Sequence, residues 1–430
     1  MGERLNLDIS ALDAEGRGVA RNAQGKVVFV EGALPGETVE AELLRGKRSY
    51  DVMRTVAVLR ESGARRAPRC PHFGVCGGCA TQHADERTQV AAKQRWLEDC
   101  LERIGKVRAE TLLAPLYGAE WGYRLRARLS VRYVEKKAGA LVGFRERRST
   151  YVADIGSCDV LAPHVSALIP RLRALVGELS VRERLPQIEL AVGDAATVLV
   201  FRHLLPLADR DQAVLRKFAE DAGVHVWLQP EGPDSVAPFH PGMRDVLFYD
   251  LPEFGIRIAF QPTDFTQVNQ GVNRALVSRA LRLLDPQPGE RIGDLFCGLG
   301  NFTLPIATRG ARVTGIEGNA GLLERARANA SANGLQAEFR QANLFVPGFV
   351  AFGPFDKLLV DPPREGAIEL VKALPGEWPR RIVYVSCDPA TLARDAAVLA
   401  HTKGFRLAAA GVVNMFPHTA HVESIALFER

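Results

Sequence analysis

The sequence has no long apolar run: stretches such as Lys357-Leu358-Leu359-Val360 stop far short of the ~20 residues a bilayer span requires, so no membrane segment is expected. The opening Met1-Gly2-Glu3-Arg4-Leu5-Asn6 lacks the apolar core of a secretory signal, and a cytoplasmic location follows as the expectation. Cysteine is scarce and its count is odd, seven in 430 residues, which argues against a disulfide framework. Nothing in the sequence asks for an obligate protein partner. What is present is a globular composition, 47% hydrophobic and 24% charged. At roughly 100 to 200 residues per domain, the length suggests two to four domains.

Net charge is only +5, but it is unevenly spread. Residues 1–150 hold 27 Lys+Arg against 19 Asp+Glu, an excess of 8, and the remainder holds 28 against 31. Part of that excess sits on one predicted strand, Tyr123-Arg124-Leu125-Arg126-Ala127-Arg128-Leu129-Ser130-Val131-Arg132-Tyr133, whose alternation buries Leu, Ala, Leu and Val and leaves four arginines on the other face. Like charges at period two repel one another, and a polyanion would relieve them. With Arg145, Arg147 and Arg148 close behind, the pattern points to a phosphate-contacting surface; a merely solvated face is the bland alternative.

The chain divides into three parts. Residues 1–62 hold short alternating segments punctuated by Gly16, Gly18, Gly25, Gly32 and Pro35-Gly36, the pattern of a small OB-like β-barrel. Residues 63–268 open with a cysteine-rich loop, continue through a helix predicted over Asp85 to Ile104, and then mix strands with helices as a central α+β domain. Residues 269–430 repeat strand, turn and helix, the signature of a doubly wound, Rossmann-like α/β sheet.

Three of the cysteines cluster in Cys70-Pro71-His72-Phe73-Gly74-Val75-Cys76-Gly77-Gly78-Cys79. Thiols so close together, with glycines that let the backbone wrap tightly, suit a metal site better than a packed core. Cys158, in a loop-like stretch, is the candidate fourth ligand, whereas Cys100 falls in a helix. Four thiolates serve zinc or an iron-sulfur cluster equally, and spacing alone leaves both open.

In the C-terminal part the strand Arg291 to Leu295 runs into Phe296-Cys297-Gly298-Leu299-Gly300-Asn301, and the next strand ends at Glu317, where such folds bind ribose hydroxyls through a carboxylate. The loop has no third glycine. A ligand with a ribose but no pyrophosphate fits it, and S-adenosylmethionine is the obvious one. Asp361-Pro362-Pro363-Arg364 closes another strand with a stiff wall that places Asp361 over the cleft, but Arg364 follows where amino-group methylases carry an aromatic. Cys387, in Val385-Ser386-Cys387-Asp388-Pro389, stands between a strand and a helix. A thiolate adding to C6 of a uracil turns C5 into a nucleophile toward a sulfonium methyl, and a helix start would lower the thiol pKa. The C5 proton must then leave. Glu423 is the candidate acceptor, with His418 and His421 as runners-up. Taken singly, Cys387 reads equally as a core thiol and Glu423 as a solvated carboxylate.

These motifs together resemble the RNA 5-methyluridine methyltransferase family, and within it the 23S rRNA (uracil-C5)-methyltransferases of RumA or RlmD type, over essentially the whole chain. The segment Pro68 to Cys79 is similar to that family's cluster loop. The resemblance implies a 4Fe-4S cluster held by Cys70, Cys76, Cys79 and Cys158, and a TRAM RNA-binding barrel at the N-terminus. It implies S-adenosylmethionine contacts from Gln267, Phe296, Asn301, Glu317, Asn343 and Asp361, with Cys387 as nucleophile and Glu423 as proton acceptor. The implied partner is 23S rRNA before full ribosome assembly. Within the family, tRNA-specific relatives lack the TRAM and cysteine segments, and one relative with both modifies two rRNA positions, so the number of target uridines stays open. Cytosine C5 methylation would share the thiol chemistry, and a redox-sensing RNA-binding protein with a vestigial methylase fold is the non-enzymatic alternative.

Overall fold

The computed structural model describes residues 3–137, 139–240, 246–346 and 348–430. Its N-terminal part is a six-stranded sheet in the order Arg4–Asp8, Thr38–Gly46, Tyr50–Arg60, Val27–Glu31, Gly18–Arg21, Ala11–Leu12. Alternation buries Leu7, Ala20, Val28, Val30, Val39, Ala41 and Met53 in one cluster. The barrel expected from sequence is not found: among the described residues the ladder ends at Arg4–Asp8 and Ala11–Leu12, and between them Ile9 N and Ser10 N make single bonds to Glu37 O and Val19 O. Glu37, fully buried, ties this sheet to the next part through Arg65, whose Nε and Nη2 donate to it at 2.5 and 2.6 Å.

The middle part carries a six-stranded sheet, Ala237–Pro238, His225–Gln229, Thr197–Arg202, Gln187–Val192, Arg126–Val134, Gly139–Gly143, packed on the helices Leu168–Glu178 and Asp209–Ala222. The arginine-rich segment is a strand with Ala127, Leu129 and Val131 inward, as its alternation predicts. Its outer face is not a row of free cations, however. Arg128 lies opposite Glu189 in the register and donates to it at 2.9 Å, Arg126 folds back onto Thr263 O at 2.8 Å, and Arg132 stays exposed.

The C-terminal sheet has eight strands, in the order Glu338–Gln341, Arg312–Glu317, Arg291–Leu295, Lys357–Val360, Arg381–Ser386, Glu423–Glu429, Arg406–Val413, Thr111–Leu112. The first five are mutually parallel, and Glu423–Glu429 runs antiparallel between its neighbours. The apolar runs Leu358–Val360 and Ile382–Val385 are buried on both faces, as parallel strands between helical layers must be. The last strand, Thr111–Leu112, comes from far upstream, and so does a covering helix, Glu86–Cys100. Val90 and Leu97 of that helix share a core with Tyr384, Leu392 and Val412. Asp85 caps it, accepting from Thr88 N at 2.8 Å, and a wider π-helical turn, Leu101–Gly105, follows. That turn breaks the 3.6-residue phase of the helix predicted over Asp85 to Ile104, and Ile104 is exposed.

Candidate active site

Five parallel strands end on one edge of the C-terminal sheet, and the strand order sets their terminal residues in the sequence Asn343, Glu317, Phe296, Asp361, Cys387. Strands stand ~4.8 Å apart, so Glu317 and Cys387 are separated by roughly 14 Å along that edge. Between them the glycine loop turns through Phe296 (φ 65°), Gly298 (φ 52°) and Gly300 (φ 92°). Positive φ at a bulky residue such as Phe296 is a strained state held only by its surroundings. Here Phe296 N and Cys297 N both donate to Ile316 O, at 2.9 and 3.1 Å. Glu317 braces the loop from the neighbouring strand, accepting from Gly298 N at 3.2 Å and Asn319 N at 2.9 Å.

The other residues expected around a cofactor divide by what they touch. Phe296 packs its ring 5.6 Å from Phe345, and Asn343 shapes the turn between them by accepting from Phe345 N at 2.9 Å. Asn301 has its side-chain atoms engaged: Oδ1 accepts from Tyr249 Oη and Asn273 Nδ2, and Nδ2 donates to Asn273 Oδ1, each at 3.0 Å. It brackets the loop to the helix Gln270–Leu284, rather than reaching outward with its amide. Gln267 is half-buried in the extended segment before that helix, held where Leu125 N donates to Val268 O at 2.9 Å.

Two further residues here carry no role of their own in the sequence, although Asp294 opens its acidic-glycine loop. Asp294 is fully buried at the loop's root. Thr303 donates to its Oδ2 at 2.5 Å, and its Oδ1 has no partner. Burial pushes its carboxyl up to about 7, the Thr303 bond opposing and the Asp361 charge adding. Asn269 caps the helix through Oδ1 and leaves its buried Nδ2 unsatisfied. An orphaned acceptor and an orphaned donor beside an open loop are groups a polar ligand would satisfy. Asn269 does not stand out in sequence, because Asn before a helix is ordinary, and burial of Asp294 is not visible from the loop it opens.

The strand register brings the two proposed catalytic residues together. Ser386 pairs with Ser424, so the next residues outward, Cys387 and Glu423, face each other across the antiparallel pair. Ser424 Oγ donates to Ser386 O at 3.1 Å and pins that register. Asp361 lies on the adjacent strand end, partly exposed as a residue while protein encloses its carboxyl. Burial pushes Asp361 up to about 7, and burial with the Asp361 charge holds Glu423 well above the ordinary carboxyl range. The expectation that a helix start would lower the Cys387 pKa is corrected. Asp388 is the N-cap, accepting from Ala390 N at 2.9 Å and Thr391 N at 3.1 Å, and Cys387 stands one position outside it. Burial first, then Glu423 and Asp361, push the thiol up to about 11, with Arg364 opposing.

The two histidines separate. His421 sits at the lip, its Nδ1 2.8 Å from Arg364 Nη2. His418 is buried behind the site, stacked on Trp121 at 3.9 Å, and burial lowers it to about 4.

Cys70, Cys76, Cys79 and Cys158 line one small cavity with Phe144 and Ile155, whereas Cys100 and Cys297 lie in the cores around the C-terminal sheet. Burial, chiefly, pushes Cys79 up to about 12 and Cys158 to about 11, and neighbouring thiols of the set add to both shifts. Among the described residues, no three His, Cys, Asp or Glu side chains form a group that could hold a metal ion as they stand.

The comparisons agree with this layout. Residues 1–50 match the TRAM domain, 292–359 a methyltransferase domain, and 351–430 the tRNA (Uracil-5-)-methyltransferase family. The "23S rRNA (uracil(1939)-C(5))-methyltransferase RlmD" of Thiobacillus denitrificans is 62% identical over 99% of this chain and 99% of its own length. Its namesake from Azoarcus sp. is 60% identical over 98% and 99%. The crystal structure of Pyrococcus abyssi tRNA (uracil-54, C5)-methyltransferase with S-adenosyl-L-homocysteine superposes with a TM-score of 0.76 at 26% identity, covering 99% of this chain and 100% of that one. A Rossmann-like methyltransferase sheet behind a TRAM domain, with relatives this close over its full length, makes the chain a member of the 23S rRNA (uracil-C5)-methyltransferase RlmD family.

Proposed function

We propose that this enzyme methylates C5 of a 23S rRNA uridine, the one its relatives' names number 1939, through a covalent bond from Cys387 to uracil C6. The observation that carries this reading is the register that sets Cys387 opposite Glu423 at the sheet edge, with Asp361 beside them. Cys387 Sγ loses its proton to solvent, the thiolate adds to C6, and the C5–C6 double bond becomes an enolate. Bound S-adenosylmethionine supplies the methyl group that C5 takes up. Glu423, acting as the carboxylate, then removes the C5 proton, and the enolate expels the Cys387 thiolate. Gln267, Phe296, Glu317, Asn343 and Asp361, together with the unsatisfied oxygen of Asp294, are the residues that would hold the cofactor along the edge, with Asn301 supporting the loop from behind. The all-sulfur set Cys70, Cys76, Cys79 and Cys158, lining one cavity, has the donor chemistry for a 4Fe-4S cluster with a structural role, which these side chains would close around on binding it.

The TRAM domain and the exposed Arg132 would contact the RNA backbone before ribosome assembly closes over it. No described helix is long and apolar enough to cross a membrane, and a cytoplasmic site of action suits an rRNA substrate. The decisive variants are Cys387→Ala, expected to abolish methyl transfer while RNA binding survives, and Glu423→Gln, expected to leave a protein-RNA adduct stable in denaturant. Turnover by Cys387→Ala would end the covalent reading, and absence of adduct in Glu423→Gln would move the base elsewhere.

A further inference from the structure

The segment Asn414–Val422 leads directly into Glu423, and its polar groups are held by elements far away in sequence. Lys93, on the helix Glu86–Cys100, is only 6% exposed, and its Nζ donates to Asn414 Oδ1 at 2.9 Å and to Phe416 O at 2.8 Å. On the same helix, Asn414 Nδ2 donates to Glu86 Oε1 at 3.0 Å. One turn before Lys93, Gln89 grips His418 twice, its Oε1 accepting from His418 N at 2.8 Å and its Nε2 lying 3.2 Å from His418 Nδ1. His418 O accepts from Ala80 N and Thr81 N, immediately after the cysteine loop, and Tyr123 Oη donates to Pro417 O at 2.9 Å. His418 itself is in the left-handed region at φ 65°, a state a histidine keeps only when its surroundings enforce it.

Burial of a lysine amine is costly and lowers Lys93 to about 7, and nothing in the methyl-transfer chemistry calls for one here. Its two hydrogen bonds fix two points on the bend before Glu423. Gln89 fixes a third. We infer that Lys93 and Gln89 are positioning residues for the reaction: they hold the Asn414–His418 bend so that the Glu423 carboxyl meets the C5 proton after methylation. The inference rests on the assignment of Glu423 as proton acceptor. It separates two steps, because the bend leads directly into the strand that begins at Glu423, whereas Cys387 follows the strand Arg381–Ser386. Loosening the bend therefore slows elimination and spares addition.

The test uses the full-length enzyme with S-adenosylmethionine and an rRNA fragment, comparing Lys93→Met, Gln89→Met and Glu423→Gln. Denaturing gels read the covalent adduct, mass spectrometry reads the methylated product, and thermal melting reports folding. Lys93→Met and Gln89→Met are expected to form adduct at near the parent rate, to release product at least tenfold more slowly, and so to accumulate adduct. Should Lys93→Met fail to fold, Gln89→Met decides. If Glu423→Gln traps adduct while the folded positioning variants release product at the parent rate, or lose adduct and product in equal proportion, the inference is wrong and the Glu423 assignment stands. If Glu423→Gln itself leaves no adduct, that assignment fails and the inference falls with it.

Discussion

Asp361 shows most clearly how the site's carboxyls are tuned, because its environment has a definite sign. Its folded pKa, about 7, lies above the ~3.9 of a free aspartate, so between those values the folded protein keeps a proton that the unfolded chain has released. Its contribution to stability is complete below pH ~4 and is lost as pH rises through about 7. Asp361→Asn is therefore expected to melt no higher than the parent at about pH 4 and increasingly higher toward about pH 7, where the gain levels off, having grown by at most roughly 1.4 kcal/mol with each pH step of about one between those values. A melting difference that stays flat across that range contradicts the assignment. The opposing histidines, His83 and His418, are common to both proteins and cancel in the comparison. At this scale the sequence singles out Cys387 and Glu423 as candidates because each stands at the end of an apolar strand. The thiol's acidity was misread because the sequence does not show whether Cys387 or Asp388 caps the helix, nor that two carboxyls sit across from the sulfur.

Among the elements, the helix Pro389–His401 and the strand before it fix where Cys387 stands. Asp388 satisfies two backbone donors of the first turn, and Pro389 presets its φ. Asp388→Ala is expected to cost about 1 kcal/mol in urea unfolding and to slow single-turnover adduct formation, because the residue next to Cys387 loses its anchor. Adduct formation unchanged alongside that loss of stability would show that the cap does not aim the thiol. The parallel strands were legible from runs such as Leu358-Leu359-Val360 bounded by Asp-Pro-Pro. The two-residue strand Thr111–Leu112 was not, since two residues carry no periodicity, and its pairing with Arg406–Val413 depends on the whole sheet being built. The π-helical turn at Leu101–Gly105 was hidden for the same kind of reason: a wide turn leaves the local composition unchanged while it rotates Ile104 outward.

For the whole molecule, the N-terminal half supplies positive charge and the C-terminal half supplies chemistry. The basic excess of residues 1–150 was visible by counting, but the strand partners that neutralise part of it were not, because Glu189 lies 61 residues from Arg128. What remains exposed includes Lys47, Arg48 and Arg132. RNA affinity is accordingly expected to fall linearly with the logarithm of salt concentration, and Arg48→Glu or Arg132→Glu to flatten that slope by about 0.7 for each phosphate the variant no longer neutralises. Unchanged slopes in both variants would move the RNA to another face.

The central claim is that a sulfur-carbon bond to the pyrimidine precedes alkylation. It is tested most directly with an rRNA fragment carrying 5-fluorouridine at the target position, incubated with the enzyme and S-adenosylmethionine, denatured, digested and mapped by mass spectrometry. Fluorine at C5 leaves no proton to remove, so the account predicts a methylated nucleotide locked to the peptide containing Cys387. An RNA recovered free of protein, or a bond to any other residue, contradicts it.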